Sequence, residues 1–263
     1  MLWNTFQHIP GIGEKTERKL WESNIKAWDE FLMKERKLDL SEKRKEFIRN
    51  YILLSYQRLA ERDIEFFAGI LPKREHWRLY QDFKEKTAFL DIETTGLSRK
   101  YSDITIISLY GAKIETFIKD KNLDSFSEAS KKYDIIVTFN GACFDIPFLR
   151  DRFSDFKPKV HIDLRFLLKR IGFTGGLKNI EKLFGISRKS EINKLSGLDA
   201  ITLWHHYLDG DQKSLERLLH YNIADTVNLK IILEKTVRML REECLGQEYT
   251  NDKSGIALDF QNI

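Results

Sequence analysis

Acidic side chains with short, regular spacing are the first feature of the chain that predicts chemistry. Asp91 lies within the largely apolar run Ala88–Ile92, and Glu93 follows this run directly. The two residues are two positions apart, so on a strand both carboxylates point to one face. Neighbouring carboxylates repel each other and are costly to bury, and oxygen ligands suit Mg²⁺ or Mn²⁺. Taken alone, the pair is more typical of an acidic turn at a strand end than of a metal site.

Two further places carry acids in positions where active sites occur. Asp145 follows Asn140 at a strand-to-helix turn, where sites are common in α/β folds, although alone it predicts the N-cap of a helix beginning at Ile146. Tyr221 and Asp225 are four residues apart, so they share one face of a helix. Alone, they predict an ordinary helix-face pair.

The elements that must position these side chains follow from hydrophobic patterning. Strands are predicted at Ala88–Ile92, Ile104–Tyr110, Lys113–Ile118, Asp134–Phe139 and Val160–Leu164. Helices are predicted at 125–132 and 146–153 and over most of 165–245. The pattern predicts a mixed α/β fold with a five-stranded sheet flanked by helices.

An all-helical region is predicted ahead of this sheet. Thr5 to Leu32 predicts two short helices around a tight turn at Ile9–Gly13, and a longer helix is predicted from Ser41 to about Arg62. We therefore expect a helical region over 1–62, an α/β domain over 63–245 and a flexible tail over 246–263.

Composition narrows the class of protein. The chain has 263 residues, of which 42% are hydrophobic and 32% charged, which excludes collagen-like and wholly disordered chains. Its net charge of +4 permits nucleic-acid binding without arguing for it. No run of about 18 apolar residues predicts a membrane span. The absence of a signal-like N-terminus and the isolated cysteines Cys143 and Cys244 favour the cytoplasm over secretion, a disulfide framework or a zinc site.

The three acidic motifs together resemble those of the DEDD, or DnaQ-like, 3′–5′ exonucleases. They are Asp91-x-Glu93, Asn140-x-x-x-Phe144-Asp145 and Tyr221-x-x-x-Asp225, and the tyrosine is typical of the DEDDy subgroup. Residues 90–97 and 175–181 further resemble blocks of the YprB-type ribonuclease-H-like family. The resemblance implies a ribonuclease-H-like fold.

The resemblance also implies roles for the motif residues. Asp91, Glu93, Asp145 and Asp225 would hold two Mg²⁺ or Mn²⁺ ions, with Asp91 bridging them. Tyr221 would orient the attacking water, because a phenol is a poor proton acceptor at neutral pH. Residues implied to contact the terminal nucleotide are Thr94, Thr95, Gly96, Leu97, Asn140 and Phe144, for which turn geometry and core packing are the alternatives. Asp163 is a candidate to hold the metal ligands in place without itself binding the ions.

The N-terminal turn Ile9-Pro10-Gly11-Ile12-Gly13 resembles a helix-hairpin-helix motif. Backbone N–H groups at Gly11 and Gly13, with the charge of Lys15, would bind phosphate oxygens of a nucleic-acid backbone. The alternative is a packing turn that binds nothing.

The expected function is a metal-dependent 3′–5′ exonuclease acting on single-stranded DNA, with RNA as a second substrate class. Two alternatives stay open. One is a structure-selective endonuclease or RNA-processing nuclease on the same fold. The other is a nucleic-acid-binding module with a vestigial site.

Overall fold

The computed structural model describes residues 1–188 and 195–246. The chain folds into two compact units. The first contains residues 1–82 and the part of the last helix that begins at Lys235, and the second is Phe83–Glu234. The predicted boundary between residues 62 and 63 falls inside the first unit. The predicted tail lies outside the described residues from position 247 onward. Among the described residues, no helix is both long and apolar enough to cross a bilayer.

Helices build the first unit, as the sequence predicted. They are α1 (Glu14–Glu22), α2 (Trp28–Lys34), α3 (Glu42–Ala60) and α4 (Ile64–Ile70), followed by a 3-10 helix over Lys73–Leu79. The α3 helix begins after Ser41, whose hydroxyl accepts a hydrogen bond from the Arg44 N–H. This N-cap satisfies one of the backbone donors that a helix start leaves unpaired.

The helix predicted ahead of the N-terminal turn is wrong. Only a 3-10 helix at Leu2–Asn4 precedes the turn. The buried Glu17 carboxylate provides the reason, because it accepts hydrogen bonds at 2.7 Å from the Phe6 backbone N–H and at 2.7 Å from the Thr5 hydroxyl. The side-chain amide of Gln7 donates to the same carboxylate at 2.6 Å. Side chains two residues apart point to different faces of a helix, so Thr5 and Gln7 could not both contact this carboxylate from a helix.

The second unit is built on the predicted five-stranded mixed sheet, which is confirmed. Its strands are β1 (Thr87–Thr94), β2 (Ile104–Tyr110), β3 (Ile114–Ile118), β4 (Ile135–Thr138) and β5 (Val160–Asp163). The spatial order is β3-β2-β1-β4-β5. The pairs β1–β2 and β2–β3 are antiparallel, whereas β1–β4 and β4–β5 are parallel. The strand β1 is therefore central.

Helices cover both faces of this sheet. They are α5 (Phe126–Ser130), α6 (Asp145–Arg152), α7 (Leu164–Arg170), α8 (Leu177–Leu183), α9 (Gly197–Leu208) and α10 (Gln212–Leu245). Ala88, Leu90 and Ile92 of β1 join a core with α5 and α6. A second core contains Ile106 of β2 and residues of α9 and α10, including Trp204 and Leu218. The alternation along β1 therefore leaves its odd-numbered residues facing α9 and α10.

Candidate active site

Asp91 and Glu93 occupy alternate positions near the end of β1. Leu90 and Ile92 face the apolar core, so both carboxylates face the opposite side of the sheet. The ladder to β2 is interrupted by an irregularity between Glu93 and Thr94. Glu93 is buried, and Asp91 is half-buried. The strand therefore brings two acids together at the point where its regular pairing ends.

Asp145 is the first residue of α6 and not its N-cap. Phe144 occupies the cap position and makes no side-chain capping bond. The buried Asp145 carboxylate instead accepts a hydrogen bond from the Ile92 backbone N–H at 3.2 Å. The expectation that Asp145 caps a helix beginning at Ile146 is therefore wrong, because its Oδ1 contacts the β1 residue between Asp91 and Glu93.

Tyr221 and Asp225 lie one turn apart on α10, and both are buried. Between them, Asn222 donates from its side-chain Nδ2 to Asp91 Oδ2 at 2.7 Å. Sequence reasoning assigned no role to Asn222. Its spacing of three residues from Asp225, which places it on a similar helix face, was the available signal. Asn222 links the helix to the central strand.

Burial and mutual repulsion perturb all four acids. Burial, followed by repulsion from Asp225 and Asp145, raises the pKa of the Asp91 carboxyl well above its usual value. Burial and Asp225 do the same to the pKa of Glu93. Burial raises the pKa of Asp145 to about 7 and that of Asp225 to about 6. These raised pKa values indicate carboxylates that lack enough positive charge around them.

The Tyr221 phenol shares this environment. Burial, then Asp225 and Glu93, raises its pKa further above the ordinary value of 10. A negative phenolate beside ionised carboxylates is unfavourable, so Tyr221 keeps its proton at neutral pH. The protonated phenol can donate a hydrogen bond at neutral pH.

Arg188 provides a cation that the sequence analysis did not anticipate. Its guanidinium forms an ion pair with Asp225 Oδ1 and two hydrogen bonds, both 2.6 Å long, with the buried carboxylate of Glu181. It also lies 5.6 Å from the centroid of the Tyr221 ring. Glu181 belongs to the resemblance block at 175–181, whereas nothing in the local pattern singled out Arg188.

The residues after Glu93 form a hydrogen-bonded loop. The Thr94 hydroxyl donates to the Gly96 carbonyl at 2.6 Å. The Thr95 backbone N–H donates to the Asp103 carbonyl at 2.9 Å, and the Thr95 hydroxyl accepts from the Asp103 N–H at 3.0 Å. Leu97 is 76% exposed. The loop is therefore fixed at its base and leaves an apolar side chain in solvent.

Asp163 holds the turn that contains Asn140. Its two carboxylate oxygens accept from the backbone N–H groups of Asn140 at 2.8 Å and Ala142 at 3.0 Å. Asn140 adopts a left-handed φ of 64°, and its Oδ1 accepts from Arg165 at 2.7 Å. Asp163 thus supports the turn rather than contacting the acids by a hydrogen bond. Phe144 packs on the neighbouring core, with its ring centroid 4.8 Å from that of Phe148.

Gly11, Gly13 and Lys15 belong to the first unit. Gly11 has a φ of 79°, which favours glycine, and Gly13 is the N-cap of α1. A cavity of about 410 Å³ is lined by residues 7–13 and Ile70. Arg44 donates to the Pro10 carbonyl at 3.0 Å, and Lys15 is exposed. The turn therefore borders an open cavity and is held by the hydrogen bond from Arg44.

The four acids have the chemistry of ligands for a divalent ion. Their oxygen donors match the preference of Mg²⁺ and Mn²⁺, and the buried Oδ1 of Asn222 beside them has no hydrogen-bond partner. Within residues 1–188 and 195–246, no three acidic, histidine or cysteine side chains converge on one ion position. Each of three acids has its own partner: Asn222 donates to Asp91, the Ile92 N–H donates to Asp145, and Arg188 forms an ion pair with Asp225. The donor set therefore fits such an ion in its chemistry.

Comparison with known proteins assigns the fold. The profile of the RNase_H superfamily matches residues 88–237, more than half of the chain. No curated protein matches the chain. The chain is similar to the family B DNA polymerase of the archaeon Pyrobaculum calidifontis (16% identity, TM-score 0.48, covering 60% of this chain and 25% of that one). It therefore spans about a quarter of the polymerase.

Two further solved structures are similar over most of their own length. They are Brucella melitensis NrnC with bound Mg²⁺ (17% identity, TM-score 0.42, covering 65% of this chain and 80% of that one) and the EXO domain of Aedes aegypti Nibbler (12% identity, TM-score 0.43, covering 67% and 90%). The profile match spans the central strand, the turn before α6 and most of α10, which are the elements that carry the acids. The chain has a ribonuclease-H-like fold and belongs to the RNase_H superfamily.

Proposed function

We propose that this protein is a metal-dependent 3′–5′ exonuclease that hydrolyses single-stranded nucleic acid, with DNA preferred over RNA. The observation that carries the proposal is the group of four perturbed carboxylates, from β1, α6 and α10, beside Tyr221. Burying several like charges costs free energy unless a cation binds among them. A protein that only binds nucleic acid gains nothing from that cost.

Asp91, Glu93, Asp145 and Asp225 would hold two Mg²⁺ or Mn²⁺ ions, with Asp91 shared between them. A pair of such ions supplies an activated water and stabilises charge on the attacking and leaving oxygens of a phosphodiester. The unpartnered Oδ1 of Asn222 supports this assignment, because a buried acceptor without a donor favours a nearby cation or its bound water.

Tyr221 would orient the attacking water by donating a hydrogen bond from its phenol. The raised pKa of this phenol supports positioning rather than proton abstraction. Its ring is flanked by two cations, with Lys178 Nζ 5.4 Å and the Arg188 guanidinium carbon 5.6 Å from the centroid. These contacts would restrain the ring beside the acids.

The terminal nucleotide would contact the loop that follows β1. The hydrogen bonds of Thr94 and Thr95 fix this loop. Gly96, which has no side chain, would let the nucleic-acid strand approach the backbone. The exposed Leu97 would offer an apolar surface to the last base. Asn140 and Phe144 would complete the pocket, with Asp163 holding the Asn140 turn in place.

The N-terminal turn would bind backbone phosphates through Gly11, Gly13 and Lys15. The left-handed φ of Gly11 and the open side of the turn support this role. Replacing Gly11 and Gly13 by alanine and Lys15 by glutamine tests it in a DNA titration at fixed salt. Weaker binding with unchanged cleavage of short oligonucleotides is expected, and unchanged affinity would remove the binding role.

A circular single strand distinguishes an exonuclease from the competing functions. We expect purified protein with Mn²⁺ to degrade linear DNA faster than linear RNA of the same sequence and to leave circles of either intact. Cleavage of the circle would identify an endonuclease, and faster RNA hydrolysis would reverse the substrate preference. Binding without cleavage of any substrate would identify a nucleic-acid-binding module.

A further inference from the structure

The Arg188 side chain is only 2% exposed although it carries a permanent charge. Two of its nitrogens bind Glu181 side-on, and Glu181 Oε1 also accepts from Asn228 on α10 at 2.8 Å. Glu181 is itself 3% exposed. The guanidinium is therefore held in one orientation by a carboxylate that is anchored to the same helix as Asp225.

The remaining edge of this guanidinium faces the candidate active site. Its Nη1 pairs with Asp225 Oδ1, and its central carbon lies 5.6 Å from the centroid of the Tyr221 ring. Arg188 thus contacts both α10 residues that the proposed reaction uses. Lys178 Nζ also lies 5.4 Å from the centroid of this ring.

Stability alone does not account for this arrangement. A buried ion pair frequently contributes no more than well-packed apolar side chains of the same volume. What the pair does supply is a fixed direction for one carboxylate oxygen of Asp225.

We propose that Arg188, clamped by Glu181, is a positioning residue that fixes one oxygen of Asp225 and thereby directs the other oxygen toward a divalent ion. The inference rests on the proposed function, since it assumes that Asp225 is a metal ligand. Residues that bind a metal ligand without binding the metal commonly contribute about 10- to 100-fold in metal affinity or activity. We expect a comparable loss when Arg188 is removed.

The experiment measures Mn²⁺ affinity by isothermal titration calorimetry without nucleic acid, alongside kcat and KM for a single-stranded oligonucleotide. The variants are Arg188→Gln, Arg188→Lys, Glu181→Gln and the double variant Arg188→Gln/Glu181→Gln. The matched control is Arg152→Gln, which removes an arginine from the exposed pair with Asp124. Circular dichroism and the melting temperature without metal report on folding.

We expect Arg188→Gln to weaken Mn²⁺ binding about 10- to 100-fold and to lower kcat, with little change in KM because the side chain is buried. Arg188→Lys should recover part of the affinity, since lysine keeps the charge without the planar fork. Glu181→Gln should give a smaller loss. The double variant should match Arg188→Gln, because Glu181 acts through Arg188. Arg152→Gln should behave as the wild type.

Two results would overturn this inference while leaving the proposed function intact. Either unchanged or tighter Mn²⁺ binding by folded Arg188→Gln would show that the guanidinium does not orient the ligand. If Arg188→Gln does not fold, unchanged or tighter Mn²⁺ binding by Arg188→Lys and Glu181→Gln would overturn the inference in the same way. A wild-type protein that binds no Mn²⁺ would instead overturn the proposed function and this inference with it.

Discussion

Replacing Asp145 by asparagine should stabilise the metal-free protein at alkaline pH. Burial raises the pKa of this carboxyl to about 7 from an ordinary value of 3.8. The folded state therefore binds the proton more tightly than the unfolded chain does. The associated stability is fully present below pH 3.8 and is lost as the pH rises through 7. The difference between the two pKa values lowers the free energy of unfolding by about 4 kcal/mol once the pH is above 7.

Asparagine keeps an oxygen that accepts the hydrogen bond of the Ile92 N–H and carries no charge. It should therefore recover most of this free energy, which for a chain of this size amounts to a rise in melting temperature of about 2–4 °C per kcal/mol. The assay is thermal unfolding in chelator between pH 5 and pH 9, with Asp151→Asn as the exposed control.

The expected signature is a higher melting temperature for Asp145→Asn at pH 8.5 and a shallower fall between pH 5 and pH 9. The fall should not vanish, because Asp91, Glu93 and Asp225 also have raised pKa values. Excess Mn²⁺ should stabilise the wild type more than the variant. A variant that is less stable than the wild type at pH 8.5, or that keeps its full pH slope, would refute the reasoning.

Four other substitutions have effects whose direction follows from the structure. Asp91→Ala should abolish hydrolysis, whereas Tyr221→Phe should only slow it, and equal losses in single-turnover kinetics would contradict the assigned roles. Gly141→Ala should destabilise the protein by about 1–3 kcal/mol, because a Cβ there would lie 2.2 Å from the Thr138 hydroxyl oxygen. Glu17→Gln should cost about 3–5 kcal/mol in urea unfolding, since it leaves a buried arginine without its full ion pair.

Matched controls separate these effects from general sensitivity to substitution. Gly69→Ala has open space around the added Cβ and should not destabilise α4. Glu42→Gln removes an acid whose side chain is 86% exposed and should leave the urea midpoint nearly unchanged. If either control costs as much as its buried counterpart, the packing arguments fail.

Local periodicity accounts for what the sequence could predict. The two-residue period of a strand places Asp91 and Glu93 on one face, and the helical period does the same for Tyr221 and Asp225. The apolar runs identified all five strands within about two residues, because each run ends where polar turn residues begin.

Contacts between distant segments account for what the sequence missed. Asp145 has the sequence context of an N-cap, and only the fold brings the Ile92 N–H within its reach. Arg188 lies 37 positions before Asp225, so no short-range pattern links the two. Glu17 likewise holds the segment before the N-terminal turn in a non-helical course, through a hydrogen bond to Phe6, which lies 11 positions earlier in the chain.

The most direct test of the central claim is cleavage of a 5′-labelled single-stranded DNA with Mn²⁺, run beside a 3′-blocked copy and the Asp91→Ala variant. The account predicts a ladder that shortens from the 3′ end in the wild type and is absent from both the blocked copy and the variant. Cleavage that survives Asp91→Ala would contradict the claim that this carboxylate cluster is the nuclease centre, and internal cuts that ignore the block would contradict the 3′–5′ direction.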